Sequence, residues 1–447
     1  MVIKRKAYQK LLDWKKTSGG KTALLIDGAR RTGKTFLARE FAKNEYKSFI
    51  EINFSVANSI VQNIFLEDAM DLDIFFVKLS AVFKVKLYLR ESLFIFDEVQ
   101  RFPRAREIIK FLVEDGRYDY IETGSLISLK QNVQDIVIPS EERHMELYPL
   151  DFEEFLCAIG DEVTVPFLRQ CFEKLTPLGQ GVHRKVLNDF RQYMLVGGMP
   201  QAVVEYAQSK DFAQADEKKK DILALYRDDV IKFAKGHESK VLSVFDEIPA
   251  QLSKKEKRFS LASIDKNARM RTYEDAFIWL TEAMVTNIAF NSNDPSVGLA
   301  LNRDMLTQKC YCGDTGLLVT QTFSDKDYID NELYRAVLLD KLGINEGMLM
   351  ENIVAQSLRA NGHALYFYSR VDHENRENNM EIDFLIKRQN KICPIEVKSS
   401  DYTSHASLTK FMTKFKGKLG QPYILYAKDI LVADGIVHLP LYMAMFL

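Results

Sequence analysis

The segment Gly28-Ala29-Arg30-Arg31-Thr32-Gly33-Lys34-Thr35 constrains this chain more than any other, because it matches G-x-x-x-x-G-K-[ST] in full. It follows the apolar run Ala23-Leu24-Leu25-Ile26-Asp27 and precedes a helical pattern over 34–42. A strand, a glycine-rich loop and a helix in that order wrap backbone N–H groups around phosphates at the positive end of a helix dipole. Lys34 then reaches the β- and γ-phosphates, and the Thr35 hydroxyl ligates magnesium. The expected cradle for ATP comprises Gly28, Ala29, Arg30, Arg31, Thr32, Gly33, Lys34, Thr35 and Phe36. A glycine turn with an exposed lysine is the competing explanation, and the strand–loop–helix context outweighs it.

The other half of such a site is Leu93-Phe94-Ile95-Phe96-Asp97-Glu98, four apolar residues ending in two carboxylates. Open α/β sheets bind ligands at the C-terminal ends of their strands. Asp97 there is expected to hold Mg2+, directly or through water, and Glu98 to polarise the attacking water as a general base. Together they favour hydrolysis over nucleotide storage. Two more strands, over 49–54 and 120–123, alternate with helical patterns, among them 104–113, which implies a doubly wound α/β sheet. Beyond the fourth strand, Thr123 or Ser125 is placed for a γ-phosphate sensor, and Ser125 serves equally well as a helix cap. Arg143 is the candidate arginine finger.

At 447 residues the chain exceeds what one core serves, about 250–300 residues. The pattern divides it into 1–150, 151–235, 236–330 and 331–447. Its 47% hydrophobic and 28% charged residues mark a packed globular protein and exclude a disordered one. The 61 basic and 62 acidic residues nearly cancel, so a nucleic-acid partner requires a local basic surface. Five cysteines without framework spacing argue against a secreted disulfide protein. Cys310 and Cys312 share a face if they lie on a strand, and they read as small buried residues rather than as a metal site. The start, MVIKRKAYQK, lacks a signal-peptide core, and no run reaches membrane-spanning length. A cytoplasmic location and no membrane partner are therefore expected.

After residue 151 helices dominate, over 152–156, 186–195 and 218–233, broken by the turn Gly197-Gly198-Met199-Pro200. Two amphipathic helices are expected over 260–269 and 271–283, spaced as in a helix-turn-helix or an ordinary helical hairpin. Further on, the pattern predicts a helix over 348–360, strands over 364–369, 382–388 and 391–397, a helix over 407–415 and a strand over 422–426.

These motifs together resemble one family, the prokaryotic AAA-type ATPases that carry a C-terminal domain of unknown function with a PD-(D/E)xK nuclease-like core. The resemblance rests on GARRTGKT, FIFDEVQR, ETGS, YPLDFEEFL (148–156), YMLVGGMPQAV (193–203), YCGDTGLL (311–318) and MEIDFLI…PIEVKSS (380–400), and it covers nearly the whole chain. It implies a P-loop AAA-type ATPase domain, a helical and winged-helix middle region, and a C-terminal α/β nuclease-like domain. It also implies ATP as the nucleotide, DNA as a partner and a homo-oligomer that completes sites between subunits. Arg31-Thr32 replaces the more typical Gln-Val, and Arg143 lacks the glycine that often precedes it in related chains.

Within the nuclease-like segment, Glu396 and Lys398 stand two apart on a strand and project to one face. Asp383, on the preceding strand, reaches that face, and Glu351 is the carboxylate that this core draws from its first helix. Tyr366 and Glu381 fit less well. Asp383, Glu396 and Glu351 are thus candidate ligands of a second Mg2+ or Mn2+, with Lys398 beside the attacking water. The competing explanation is a solvated salt-bridge pair on an amphipathic strand. Three functions remain open at this point: an ATPase driving a DNA-acting module, a nucleotide-gated regulator whose nuclease-like domain cuts nothing, and a peptide-handling machine. HExxH and GxSxG are absent, which argues against proteolysis by the chain itself.

Overall fold

A computed structural model describes residues 3–124, 140–254, 258–296, 298–323, 346–371, 379–399 and 405–447. They form two compact units, one over 2–148 and one over 149–447. The first is built on β1 (Ala23–Asp27), β2 (Ser48–Asn53), β3 (Ser92–Asp97), β4 (Asp119–Thr123) and β5 (Glu142–Glu146). These pair in parallel in the order β2-β3-β4-β1-β5. Every residue of β1, β3 and β4 is buried, as a parallel sheet covered on both faces requires.

One face packs against α3 (Ser59–Glu67), α4 (Leu72–Phe83), α5 (Pro103–Glu107) and α6 (Ile109–Asp115) through Phe65, Phe75, Phe94 and Tyr120. The other packs against α1 (Ala7–Ser18) and α2 (Lys34–Glu45) through Leu11, Trp14 and Phe41. The helix expected over 104–113 is therefore two helices, divided at Ile108. Strand β5 gave no sequence signal, since Met145 is its one apolar residue and it lies at the sheet edge, where polar side chains discourage further pairing.

The second unit begins with helices: α7 (Phe152–Ala158), α8 (Thr164–Lys174), α9 (Gln180–Val196), α10 (Pro200–Ser209), α11 (Phe212–Phe233), α12 (Glu238–Ser253) and α13 (Met270–Glu282). The helix expected over 260–269 is instead a short 3-10 turn, Leu261–Ser263. Asp265 turns its carboxylate to the Asn267 N–H and Gln251 accepts from the Ser260 N–H, and such local bonds compete with a helix.

An eight-stranded sheet follows, in the order β12-β13-β11-β10-β9-β8-β6-β7. Its strands are β6 (Thr286–Ser292), β7 (Arg303–Cys312), β8 (Leu365–Arg370), β9 (Met380–Arg388), β10 (Lys391–Val397), β11 (Tyr423–Tyr426), β12 (Leu431–Ala433) and β13 (Ile436–Pro440). Helices α14 (Thr315–Thr322), α15 (Glu346–Ala360) and α16 (Ala406–Lys414) complete the unit. β6 pairs in parallel with β8, so the sheet does not divide near residue 330, and β7 reaches the segment expected to be a separate nuclease-like domain. Cys310 and Cys312 lie on β7, buried and unbridged.

Three of the sequence motifs meet in this unit. The Leu150 N–H donates to the Gly198 carbonyl at 2.7 Å, and the Gly198 N–H donates to Asp314 Oδ2 at 2.6 Å. Asp314 also caps α14 through the Leu317 N–H at 2.9 Å. A Cβ on Gly198 would lie 2.1 Å from the Leu150 carbonyl oxygen, so only glycine fits. YPLDF, VGGMP and YCGDTG are thus a packing junction, buried and remote in kind from catalysis.

Candidate functional site

The sheet order of the first unit positions its chemistry. β4 lies between β1 and β3, so the loop after β1 and the carboxylates ending β3 flank Thr123 at the end of β4. Gly28 follows β1, and a Cβ there would sit 2.4 Å from the Leu147 carbonyl oxygen. Gly33, at φ 92°, opens α2 without a side-chain cap, so the first N–H groups of that helix stay available for an anion. Arg31 also takes a left-handed backbone, φ 71°. The Lys34 ammonium rests on the Gly28 and Ala29 carbonyls at 2.9 and 3.0 Å. Burial pulls its pKa down to about 8, against the attraction of Glu98, Asp27 and Asp97.

Asp97 is 3% exposed and collects donors. Thr35 Oγ1 donates to its Oδ1 at 2.6 Å, and Thr123 Oγ1 donates to the same oxygen. Asn53 Nδ2, at the end of the adjacent β2, donates to its Oδ2 at 2.7 Å. Glu98 sits at φ 55° and accepts from Gln100 Nε2 at 2.6 Å. The cradle, Thr35, Asp97, Glu98 and Thr123 are therefore brought together around one sheet end, whereas Ser125 lies outside the described residues. Asn53 and Gln100 were not foreseen. Phe36 is exposed on the first turn of α2. Arg143 is exposed on β5.

Behind the cradle lies a charged cluster that also gave no sequence signal. Arg106 binds Glu142 through two nitrogens, at 3.0 and 2.7 Å, with both side chains buried. His144 bridges Glu142, at 2.9 Å, and Asp27, at 3.3 Å. Hydrogen bonding to Asp27, and then to Glu142, lifts the imidazole to about 9. Glu122 is fully buried nearby, and burial followed by repulsion from Glu142 holds its proton well above the usual carboxylate range.

In the second unit, α15, β7, β9 and β10 converge on another set of charges. Lys309, on β7 and 1% exposed, points its ammonium at Glu381 (2.7 Å), Asp383 (3.4 Å) and Glu351 (3.8 Å). Burial opposes this charge, but Tyr311 and the three carboxylates overcome it and hold the pKa well above the ordinary lysine value. Tyr311 donates to Glu351 at 3.1 Å, and the Val397 N–H donates to Asp383 at 2.9 Å. Glu396 instead pairs with Lys398 at 2.6 Å, and burial raises its pKa.

Glu396 and Lys398 share a face as expected, and Glu351 and Asp383 approach a common centre. Glu381 joins that centre too, and Tyr366 stands on β8. Among the described residues, however, no group of three or more His, Cys, Asp and Glu side chains is arranged to hold a metal ion. Of the ligands expected for a second ion, Glu351 and Asp383 both face the Lys309 ammonium, and Glu396 pairs with Lys398. Among the described residues no helix is long and apolar enough to cross a membrane.

Comparisons with known proteins agree with this geometry in the first unit. Residues 20–156 match the family described as an AAA domain. Residues 187–327 and 346–443 match two families described as domains of unknown function, DUF8612 and DUF4143. A search of curated proteins returned no match. Among solved structures, PCH-2 from C. elegans is 15% identical, with 37% of this chain and 44% of that one covered and a TM-score of 0.20. A signal transduction ATPase with numerous domains and a tetratricopeptide repeat sensor, from Pyrococcus horikoshii, is 10% identical over 81% of this chain and 50% of that one, at a TM-score of 0.30. Protein VC1899 from Vibrio cholerae is 10% identical over 95% of both chains, at 0.18. The chain thus spans half or less of the first two, and TM-scores this low fix neither fold nor function. The chain carries an AAA-type P-loop domain, which implies ATP and magnesium, together with two domains of unknown function.

Proposed function

We propose that this chain is a magnesium-dependent ATPase whose nucleotide cycle controls a DNA-binding module formed by its second unit. The observation that carries the catalytic half is the convergence of Thr35, Thr123 and Asn53 on Asp97, with Glu98 next in the chain. Thr35 and Asp97 would hold magnesium, which supplies charge neutralisation on the phosphates. Lys34 leaves two backbone carbonyls for the β- and γ-phosphates, and Glu98, once released by Gln100, accepts the proton of the attacking water. Arg143, exposed on an edge strand, is the residue offered to the nucleotide of a neighbouring copy in a homo-oligomer. Glu98→Gln should keep ATP binding while phosphate release slows by about 100-fold or more, the usual worth of a general base. Normal turnover in that variant removes Glu98 from the role.

Support for the DNA-binding half is the succession α12, a turn, α13, β6 and β7, which is the order of a winged helix. Lys266, Arg269 and Arg271 are exposed around the start of α13. Each phosphate contact lowers log K by about 0.9 per log unit of salt on duplex DNA. Anisotropy of labelled duplex across a salt series, with and without ATP, tests it. Binding that survives replacement of all three by alanine sinks the assignment. A second reading, a regulator whose nuclease-like core cuts nothing, is favoured by one observation, the Lys309 ammonium among the carboxylates.

A further inference from the structure

A nuclease-like core calls for a divalent ion between its carboxylates, and the side chains present here do not fit one. We infer that Lys309 is itself the resident cation of the centre formed by Glu351, Glu381 and Asp383, held where an ion would otherwise sit.

The ammonium lies 2.7 to 3.8 Å from all three carboxylates. Magnesium needs oxygens at about 2.0–2.1 Å in an octahedron, and an ammonium in the same space excludes it by both volume and charge. Lys309 is fixed there from several sides. Its strand is fully buried around it, and its ammonium stands 5.1 Å from the centroid of the Phe367 ring. Each inner carboxylate also has a second donor, Tyr311 for Glu351 and the Val397 N–H for Asp383. The neighbouring Glu396, 7% exposed, takes Lys398 on one oxygen, while its Oε2 is buried with no hydrogen-bond partner. The surroundings are therefore built for positive charge, and this chain supplies that charge from β7. A buried carboxylate set is stable only when paired, so removing the ammonium leaves three carboxylates that a divalent ion with its own waters can neutralise.

This inference goes beyond the ATPase reading and does not depend on it. The test counts bound Mn2+ on the full chain from the loss of the free-ion electron paramagnetic resonance signal. Four proteins are compared: wild type, Asp383→Asn, Lys309→Ala and Lys309→Ala with Asp383→Asn. Asp383→Asn should leave the Mn2+ bound to wild type unchanged. Lys309→Ala should gain one ion per chain, and the double variant should lose it again. An ion that disappears from wild type on Asp383→Asn overturns the inference, and so does Lys309→Ala that gains none. Should the alanine variant fail to fold, Lys309→Ser, which also removes the ammonium and most of the volume, takes its place, and the wild-type comparison decides regardless. Phosphate release from ATP by the same proteins reports on the first unit separately.

Discussion

Each half of the molecule holds a lysine whose charge burial works against, and the two lysines live under opposite electrostatics. Lys34 has its carboxylates at a distance and two carbonyls for company, and burial pulls it down to about 8. Lys309 has three carboxylates within 3.8 Å, and they raise it despite complete burial. The first is a charge waiting for an anion that the chain does not contain. The second is a charge already neutralised by the fold. A lysine of the first kind serves a ligand at some expense to the free protein, and one of the second kind serves the fold.

The largest expected effects separate these two roles. Lys34→Ala should lower ATP affinity by about 100-fold or more, because hydrogen bonds to charged groups contribute about 1.5–3 kcal/mol each. It should leave the urea midpoint unchanged or slightly raised, since an ammonium held in a desolvated loop is lost. Lys309→Ala should do the reverse, destabilising the second unit by about 3–5 kcal/mol, the usual effect of removing one partner from a buried ion pair. Its ATP affinity should stay at the wild-type value. Nucleotide titration and urea unfolding of both variants break the comparison if the two lysines fail to trade effects in this way.

A smaller effect sharpens it. Asn53→Ala leaves Asp97 Oδ2 without the donor that now faces it at 2.7 Å. A buried acceptor left unsatisfied costs about 1–3 kcal/mol, and bound magnesium, which Asp97 would help to hold, would give its carboxylate a different partner. The variant should therefore lose stability in the free state and recover most of it with Mg2+ and ATP. Thermal unfolding with and without nucleotide measures the difference, and an equal loss in both states would mean that Asn53 supports only the fold.

How legible each lysine was in the sequence follows the same division. Lys34 belongs to a contiguous motif, and β1 and β3 are buried on both faces, so their apolar runs announce a parallel sheet. Asp97 and Glu98 end such a run and were readable. Asn53 was not, because its importance comes from β2 lying beside β3, a fact of sheet order. Lys309 was harder still. Asp383 lies 74 residues further along the chain, and no local pattern links QKCYC to MEIDF. In hindsight the signal was a lysine alternating with Tyr311 in a strand buried throughout that stretch. The turn over 260–269 was misread as a helix because amphipathic spacing there is real, while Asp265 and Gln251 satisfy the backbone locally.

The smallest expected effect concerns His144, which stands between the two cases: its counter-charges are built in, yet it is half exposed. Asp27 and Glu142 lift its imidazole from 6.5 to about 9. A base whose pKa is higher in the folded state stabilises the fold fully below its unfolded value and loses that contribution as pH rises through the folded one. The window here runs from about 6.5, the unfolded value, to the folded value of about 9. Arg106, the other cation on Glu142, keeps its charge throughout, but Lys34, at about 8, titrates in the same window, so it is the difference between wild type and His144→Gln that isolates the histidine. Solvent screens the 46% exposed ring, which makes the effect modest. The advantage of wild type over His144→Gln should shrink steadily across the window, the two curves meeting near its alkaline end. Urea midpoints of both proteins at about pH 6 and about pH 9.5 test the linkage. A gap between the curves that is the same at both pH values would show that His144 acts by packing and hydrogen bonding, with its charge contributing nothing.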